Sequence, residues 1–174
     1  QKGEVMGQSD FLYQGFRSHL RYDPTPCQDN FLRLVSEFVG QDDDIMVVNG
    51  YAGTGKTTAI SAVINTLNEL KIKTVLLAPT GRAAKVLSNY SGRPAATIHK
   101  HIYRQKSVGG DGYGQFSLAP NKDKDTLFVV DEVSLIGIEG GQQQSTSSFG
   151  SGNLLDDLVT FVRSGVDCKL VLIG

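Results

Sequence analysis

Between an apolar run, Ile45-Met46-Val47-Val48, and a segment whose apolar residues Ile60, Val63, Ile64 and Leu67 recur at helical spacing stand eight residues, Gly50-Tyr51-Ala52-Gly53-Thr54-Gly55-Lys56-Thr57. A strand must therefore end in a glycine-rich turn that opens a helix, and this restricts the chain to an open, mostly parallel sheet. The spacing is G-x-x-x-x-G-K-[ST] in full. Glycines let backbone N–H groups close around phosphate oxygens, and the helix N-terminus adds the positive end of its dipole. Gly53, Thr54, Gly55, Lys56, Thr57 and Thr58 are the predicted phosphate cradle, and the expected ligands are a nucleotide and Mg²⁺. Lys56 reaches the β- and γ-phosphates as a point charge, and the Thr57 hydroxyl ligates the metal.

The remaining pattern supports an α/β chain. Lys73–Ala78, Leu127–Val130 and Lys169–Ile173 are further buried strands. Helices are expected after Pro24-Thr25-Pro26, with Phe31, Leu34, Val35, Phe38 and Val39 on one face, from Gly81 to Ser88, and from Asn153 to Val162. Ala96-Thr97-Ile98-His99 opens a short helical segment, and residues 107–125 form a loop or small hairpin. Residues 1–23 read as a polar tail or an extra first turn, and 137–152, GIEGGQQQSTSSFGSG, as a flexible insertion loop. Alternating strands and helices predict a parallel sheet with helices on both faces.

Asp131-Glu132 follows the strand Leu127–Val130, at the carboxyl edge where open α/β sheets bind ligands. Asp131 is placed to hold Mg²⁺ through water, and Glu132 to orient or deprotonate an attacking water. Lys56, Asp131 and Glu132 are thus the predicted catalytic set, with Thr57 and Asp131 on the metal. The second acid separates a hydrolase from a nucleotide kinase, which needs no hydrolytic carboxylate there.

Charge adds a second element. The net charge is −1, yet from Lys71 to Lys106 there are eight Lys or Arg and no Asp or Glu. Such a block attracts a polyanion or is simply a solvated basic face. No apolar run approaches the roughly 20 residues that cross a bilayer. Cys27 and Cys168 are too few for a disulfide scaffold, and their apolar surroundings read as reduced, buried thiols. The expectation is a cytoplasmic enzyme with no membrane partner.

The set Gly50–Thr58, Ala78-Pro79-Thr80-Gly81-Arg82-Ala83-Ala84-Lys85, Ala96-Thr97-Ile98-His99 and Asp131-Glu132-Val133-Ser134, in that order, resembles superfamily 1 DNA helicases of the RecD-like group (RecD, Dda and Pif-type). The resemblance covers residues 24–136 and resumes at 153–174. It implies a RecA-like P-loop NTPase fold and an ATP-dependent motor moving 5′ to 3′ on single-stranded DNA. Gln28 resembles the adenine-reading glutamine, or is a helix-surface residue. Pro79, Thr80 and Arg82 resemble the segment that touches the strand backbone, although Thr80 also suits a helix cap. Thr97 and His99 resemble residues lining the DNA path, and His99 alternatively belongs to the core. RNA in place of DNA stays open, because backbone contacts discriminate poorly.

Residues 24–174 are thus expected to be a first RecA-like ATPase domain, incomplete because the sequence stops before the end of the segment that senses the γ-phosphate. The resemblance implies a second RecA-like domain, with an arginine finger, as a partner within the same parent chain. Without a finger, commonly worth about 10³–10⁵ in rate, the fragment should hydrolyse ATP weakly. A small-molecule kinase and a stand-alone nucleotide-binding module are the alternatives. Repair, recombination and plasmid transfer are not distinguished.

Overall fold

Four apolar runs of the sequence become neighbouring strands in the computed structural model, which describes residues 7–49, 55–105, 116–133, 136 and 153–174. Gly53 and Thr54 of the phosphate loop, Ser134 and the 137–152 insertion lie outside the described residues. Strands β1 (Ile45–Val48), β2 (Lys73–Ala78), β3 (Ala95–Thr97), β6 (Thr126–Val130) and β7 (Lys169–Ile173) form one parallel sheet in the order β1-β7-β6-β2-β3. A separate antiparallel pair joins β4 (Tyr103–Gln105) and β5 (Phe116–Leu118), of which only β5 falls within the loop or hairpin expected over residues 107–125.

Alternation along the central strands divides the apolar core between two faces. Leu76, Leu127, Val129, Val171 and Ile173 face one side, with α1 (Gln8–Ser18), α2 (Pro26–Gly40) and α3 (Lys56–Glu69). Leu77, Phe128, Val130, Leu170 and Leu172 face the other, under α5 (Ile98–Ile102) and α6 (Leu154–Arg163). Burial on both faces explains why these strands read as continuous apolar runs. The fold is that of an α/β RecA-like P-loop NTPase.

Local chemistry sets the helix starts. Thr25 caps α2 by accepting from the Gln28 backbone N–H, and the Gln28 side chain accepts from Thr25 N, a reciprocal capping box with Pro26 behind it. Thr80 caps α4 (Gly81–Ser91) by accepting from Ala83 N, and Asn153 caps α6 through Asp156 N. Helix α4 runs beyond the expected Ser88 and stops at Gly92, whose φ of 71° suits a left-handed end.

Three expectations are corrected. Residues 8–18 are a helix rather than part of a tail: Leu12, Tyr13 and Phe16 share one face and are buried against α2 and α3. Its apolar stripe is short and interrupted by polar residues, so burial by neighbours and not the stripe itself secures it. Ala95–Thr97 is an edge strand, and α5 begins only at Ile98. Alanine has little intrinsic strand preference; pairing with β2 makes this segment extended. Cys27 is exposed rather than buried, whereas Cys168 is buried, and both are free thiols. Among the described residues no helix is long and apolar enough to cross a membrane.

Candidate functional site

Because the sheet is parallel, the segments leaving its strands at their carboxyl ends emerge along one edge. The loop to Lys56 follows β1, Asp131-Glu132 follows β6, Pro79-Thr80 follows β2, and Thr97 ends β3. Strand β7 lies between β1 and β6. Gly174 N donates to Val48 O at 2.9 Å and Val133 N donates to Ile173 O at 2.9 Å, which ties the two sides of the site together through β7.

Lys56, at the first position of α3, directs its Nζ to Asp131 Oδ1 at 3.0 Å, with Glu132 Oε1 at 3.8 Å. The predicted catalytic set is therefore assembled in one place. Asp131 is buried, and its carboxylate is well satisfied: Oδ1 also accepts from Glu132 N at 2.9 Å, and Oδ2 from the Tyr90 hydroxyl at 3.0 Å. A buried carboxylate needs such donors. Burial first, and then the charges of Asp131 and Glu132, push the Tyr90 phenol well above its ordinary range, so it stays a donor. Glu132 has φ of 62°, in the left-handed region that β-carbon sterics disfavour. That turn aims its N–H at Asp131. Such strain commonly sits at functional sites.

Gln28 links α2 to the phosphate loop. Its Nε2 donates to Gly55 O at 2.9 Å while its Oε1 accepts from Thr25 N. Gly55 has φ of 75°, and a β-carbon there would collide with the Gln28 carboxamide. Each end of that carboxamide keeps a further hydrogen-bonding position, one N–H and one lone pair. Next to it lies a cavity of about 400 Å³, lined by Arg21, Tyr22, Gln28, Thr57, Thr58 and Tyr90. That is within the range of small-ligand sites. One wall is thus built by residues 19–23, within the stretch expected to be a tail.

The amino end of α3 has no side-chain cap, since its cap residue is Gly55, and carries no acidic residue in its first turn. Such an end suits an anion. Thr57 and Thr58 are exposed there. The Thr57 hydroxyl and the Asp131 carboxylate are hard oxygen donors of the kind Mg²⁺ takes in small number while retaining water. No group of three or more His, Cys, Asp or Glu around one point occurs among the described residues, as such a metal requires none. The residues fit Mg²⁺ with a nucleotide.

The other part of the edge holds the residues expected to face a strand. Ala78 pairs with Thr97, so Thr80 and Thr97 leave adjacent strands. Each caps the helix that follows, Thr97 by accepting from Lys100 N at 3.1 Å. Their hydroxyl hydrogens are not used by these caps. Arg82, Lys85, Lys100 and Arg104 are exposed, and His99 is half-buried with its ring 5.7 Å from that of Tyr103. Pro79 is buried at the bend that follows β2, so its side chain is not exposed on this edge. Sequence reasoning missed Tyr90 and Tyr22, because neither belongs to a spacing pattern.

The chain matches the AAA domain family over residues 28–145, more than half its length. It is 37% identical over 93 residues to the ATP-dependent RecD2 DNA helicase of Deinococcus radiodurans, a stretch of 53% of this chain and 12% of that protein. It is 34% identical over 116 residues to the ATP-dependent DNA helicase dda of Enterobacteria phage T4, covering 65% of this chain and 26% of that one. The chain thus spans about a quarter or less of the length of these relatives. A parallel sheet carrying Lys56, Asp131 and Glu132 on one edge, together with these matches, makes the chain a member of the AAA domain family, of the RecD-like superfamily 1 kind.

Proposed function

We propose that this chain is the nucleotide-binding half of a 5′-to-3′ DNA helicase motor, taking Mg·ATP between Gly53–Thr58 and Asp131-Glu132 and single-stranded DNA along Thr80, Arg82, Thr97 and His99. The observation that carries the reading is the Lys56–Asp131 ion pair on the same sheet edge as the adjacent caps Thr80 and Thr97. Direction and the DNA track follow the resembled group. A second RecA-like domain of the parent protein completes the site.

In this reading Lys56 exchanges Asp131 for the β- and γ-phosphates, which frees Asp131 to hold the metal's water shell. Glu132, released from Lys56, accepts a hydrogen bond from the attacking water and orients it in line. When bound, Mg²⁺ neutralises charge on the phosphate oxygens. Gln28, pre-oriented by its cap, uses its remaining N–H and lone pair on the adenine edge. Thr80 and Thr97 donate to strand phosphates, and Arg82 adds charge.

The test is ATP turnover by the parent protein with and without oligothymidylate or its RNA counterpart. Single-stranded DNA is expected to raise turnover at least tenfold, and Thr80→Ala with Arg82→Ala to remove most of that gain while nucleotide affinity stays within about twofold. Turnover indifferent to any nucleic acid would overturn the motor reading, and transfer to a small acceptor would replace it with a kinase.

A further inference from the structure

Helix α4 carries Thr80 and Arg82 at its amino end and, one residue before its carboxyl end, Tyr90. The Tyr90 hydroxyl is 3.0 Å from Asp131 Oδ2, the oxygen that Lys56 and the Glu132 amide leave alone. Without Tyr90 that oxygen would lose the one partner described for it, and the carboxylate would be free to turn about its terminal torsion, which is broad for an aspartate. The same side chain lines the cavity beside Gln28, Thr57 and Thr58. One tyrosine therefore touches both the space next to the phosphate cradle and the acid across from it.

We propose that Tyr90 is a positioning residue for metal-bound nucleotide: its hydroxyl holds Asp131 in the orientation that keeps Oδ1 toward Lys56 and available to the metal's water shell. This rests on the nucleotide reading given above. Lys56 leaves Asp131 when phosphates arrive, whereas Tyr90 does not compete for them and keeps its bond. The orientation is thus retained at the moment the metal is taken up. Because Tyr90 rides on the helix that Thr80 and Arg82 open, displacement of that helix by a strand would also reach Asp131 through the Tyr90 hydroxyl.

The test is binding of a fluorescent ADP analogue to wild type and Tyr90→Phe, titrated with Mg²⁺ and repeated in EDTA. The phenylalanine keeps the ring and removes one oxygen. Affinity in EDTA should be unchanged within about twofold, while the Mg²⁺ concentration for half-maximal binding should rise about tenfold or more, the loss of one hydrogen bond to a charged group. An unchanged Mg²⁺ midpoint would overturn the proposal and leave Tyr90 a packing residue. The same titration on Asp131→Asn and the double variant checks the route. Tyr90→Phe should add nothing once Asp131 is altered; a full additional shift would show that Tyr90 does not act through Asp131. Should the wild type bind no nucleotide at all, the nucleotide reading itself fails, which is a separate outcome. Should Tyr90→Phe melt well below wild type, the titration is repeated at a temperature where both proteins are folded, and an unchanged Mg²⁺ midpoint there still overturns the proposal.

Discussion

Gln28 Nε2 lies 2.9 Å from the carbonyl oxygen of Gly55, so the residue that completes the α2 cap also holds the last glycine of the phosphate loop. The helix that starts before the loop and the one that follows it are thereby fixed to each other at the point where an anion would enter.

That relationship predicts the effect of Gly55→Ala. The new β-carbon meets the Gln28 carboxamide and must adopt φ of 75°. The left-handed conformation costs roughly 1–2 kcal/mol for a residue with a side chain. Chemical denaturation should show a loss of that size, and nucleotide affinity should fall at least tenfold. Unaltered affinity would mean that the Gln28–Gly55 bond does not shape the site.

Glu132 is strained at φ of 62°. Glu132→Gly relieves that strain but adds freedom to the unfolded chain, worth about 0.5–1 kcal/mol in the opposite direction. Stability should hold or rise by up to about 1 kcal/mol. Glu132→Gln, in the parent protein, should keep nucleotide bound while turnover drops about 10²–10⁴-fold. Glycine that destabilises by more than 1 kcal/mol would remove the strain argument, and full turnover in the glutamine variant would remove Glu132 from the reaction.

Phe16 is completely buried between α1 and its neighbours. Phe16→Ala should cost about 3–5 kcal/mol in urea unfolding. A loss under 1 kcal/mol would mean that residues 8–18 do not belong to the folded unit.

His19 joins α1 to α3. Its Nδ1 is 3.0 Å from Gly15 O and its Nε2 is 3.0 Å from Glu69 Oε2. The Gly15 carbonyl chiefly, and Glu69 in addition, raise the imidazole's proton affinity against the opposing effect of burial. A folded-state value above the unfolded one means a contribution fully present below about pH 6.5 and lost as pH rises through the folded value. Thermal melts of wild type and His19→Gln should differ most near pH 5.5 and converge by pH 8. A difference that is constant with pH would contradict this.

Much of this architecture was legible because its determinants are local. Leu127–Val130 and Lys169–Ile173 are unbroken apolar runs that suit only a strand covered on both faces, and the spacing that ends at Lys56-Thr57 marks the start of α3. Asp131 and Glu132 could be assigned because they follow one of those runs. What was not legible depends on partners distant in sequence. Leu12 and Phe16 become core only when α2 and α3 arrive, Ala95–Thr97 is extended only because β2 is beside it, and Tyr90 matters only through an acid 41 residues later. Pro79 is legible as part of a motif, whereas its burial depends on the tertiary fold.

The most direct test of the account is equilibrium binding of Mg·ATP by wild type and Lys56→Ala. Lys56 bridges α3 to Asp131 and Glu132, and the account places the phosphates where its Nζ now meets those acids. Wild type should bind with saturable affinity. The alanine variant should bind at least tenfold more weakly, a loss of about 1.4 kcal/mol or more, while its folded circular dichroism spectrum is retained. Equal affinity in the two proteins would contradict the assignment of this edge as the nucleotide site.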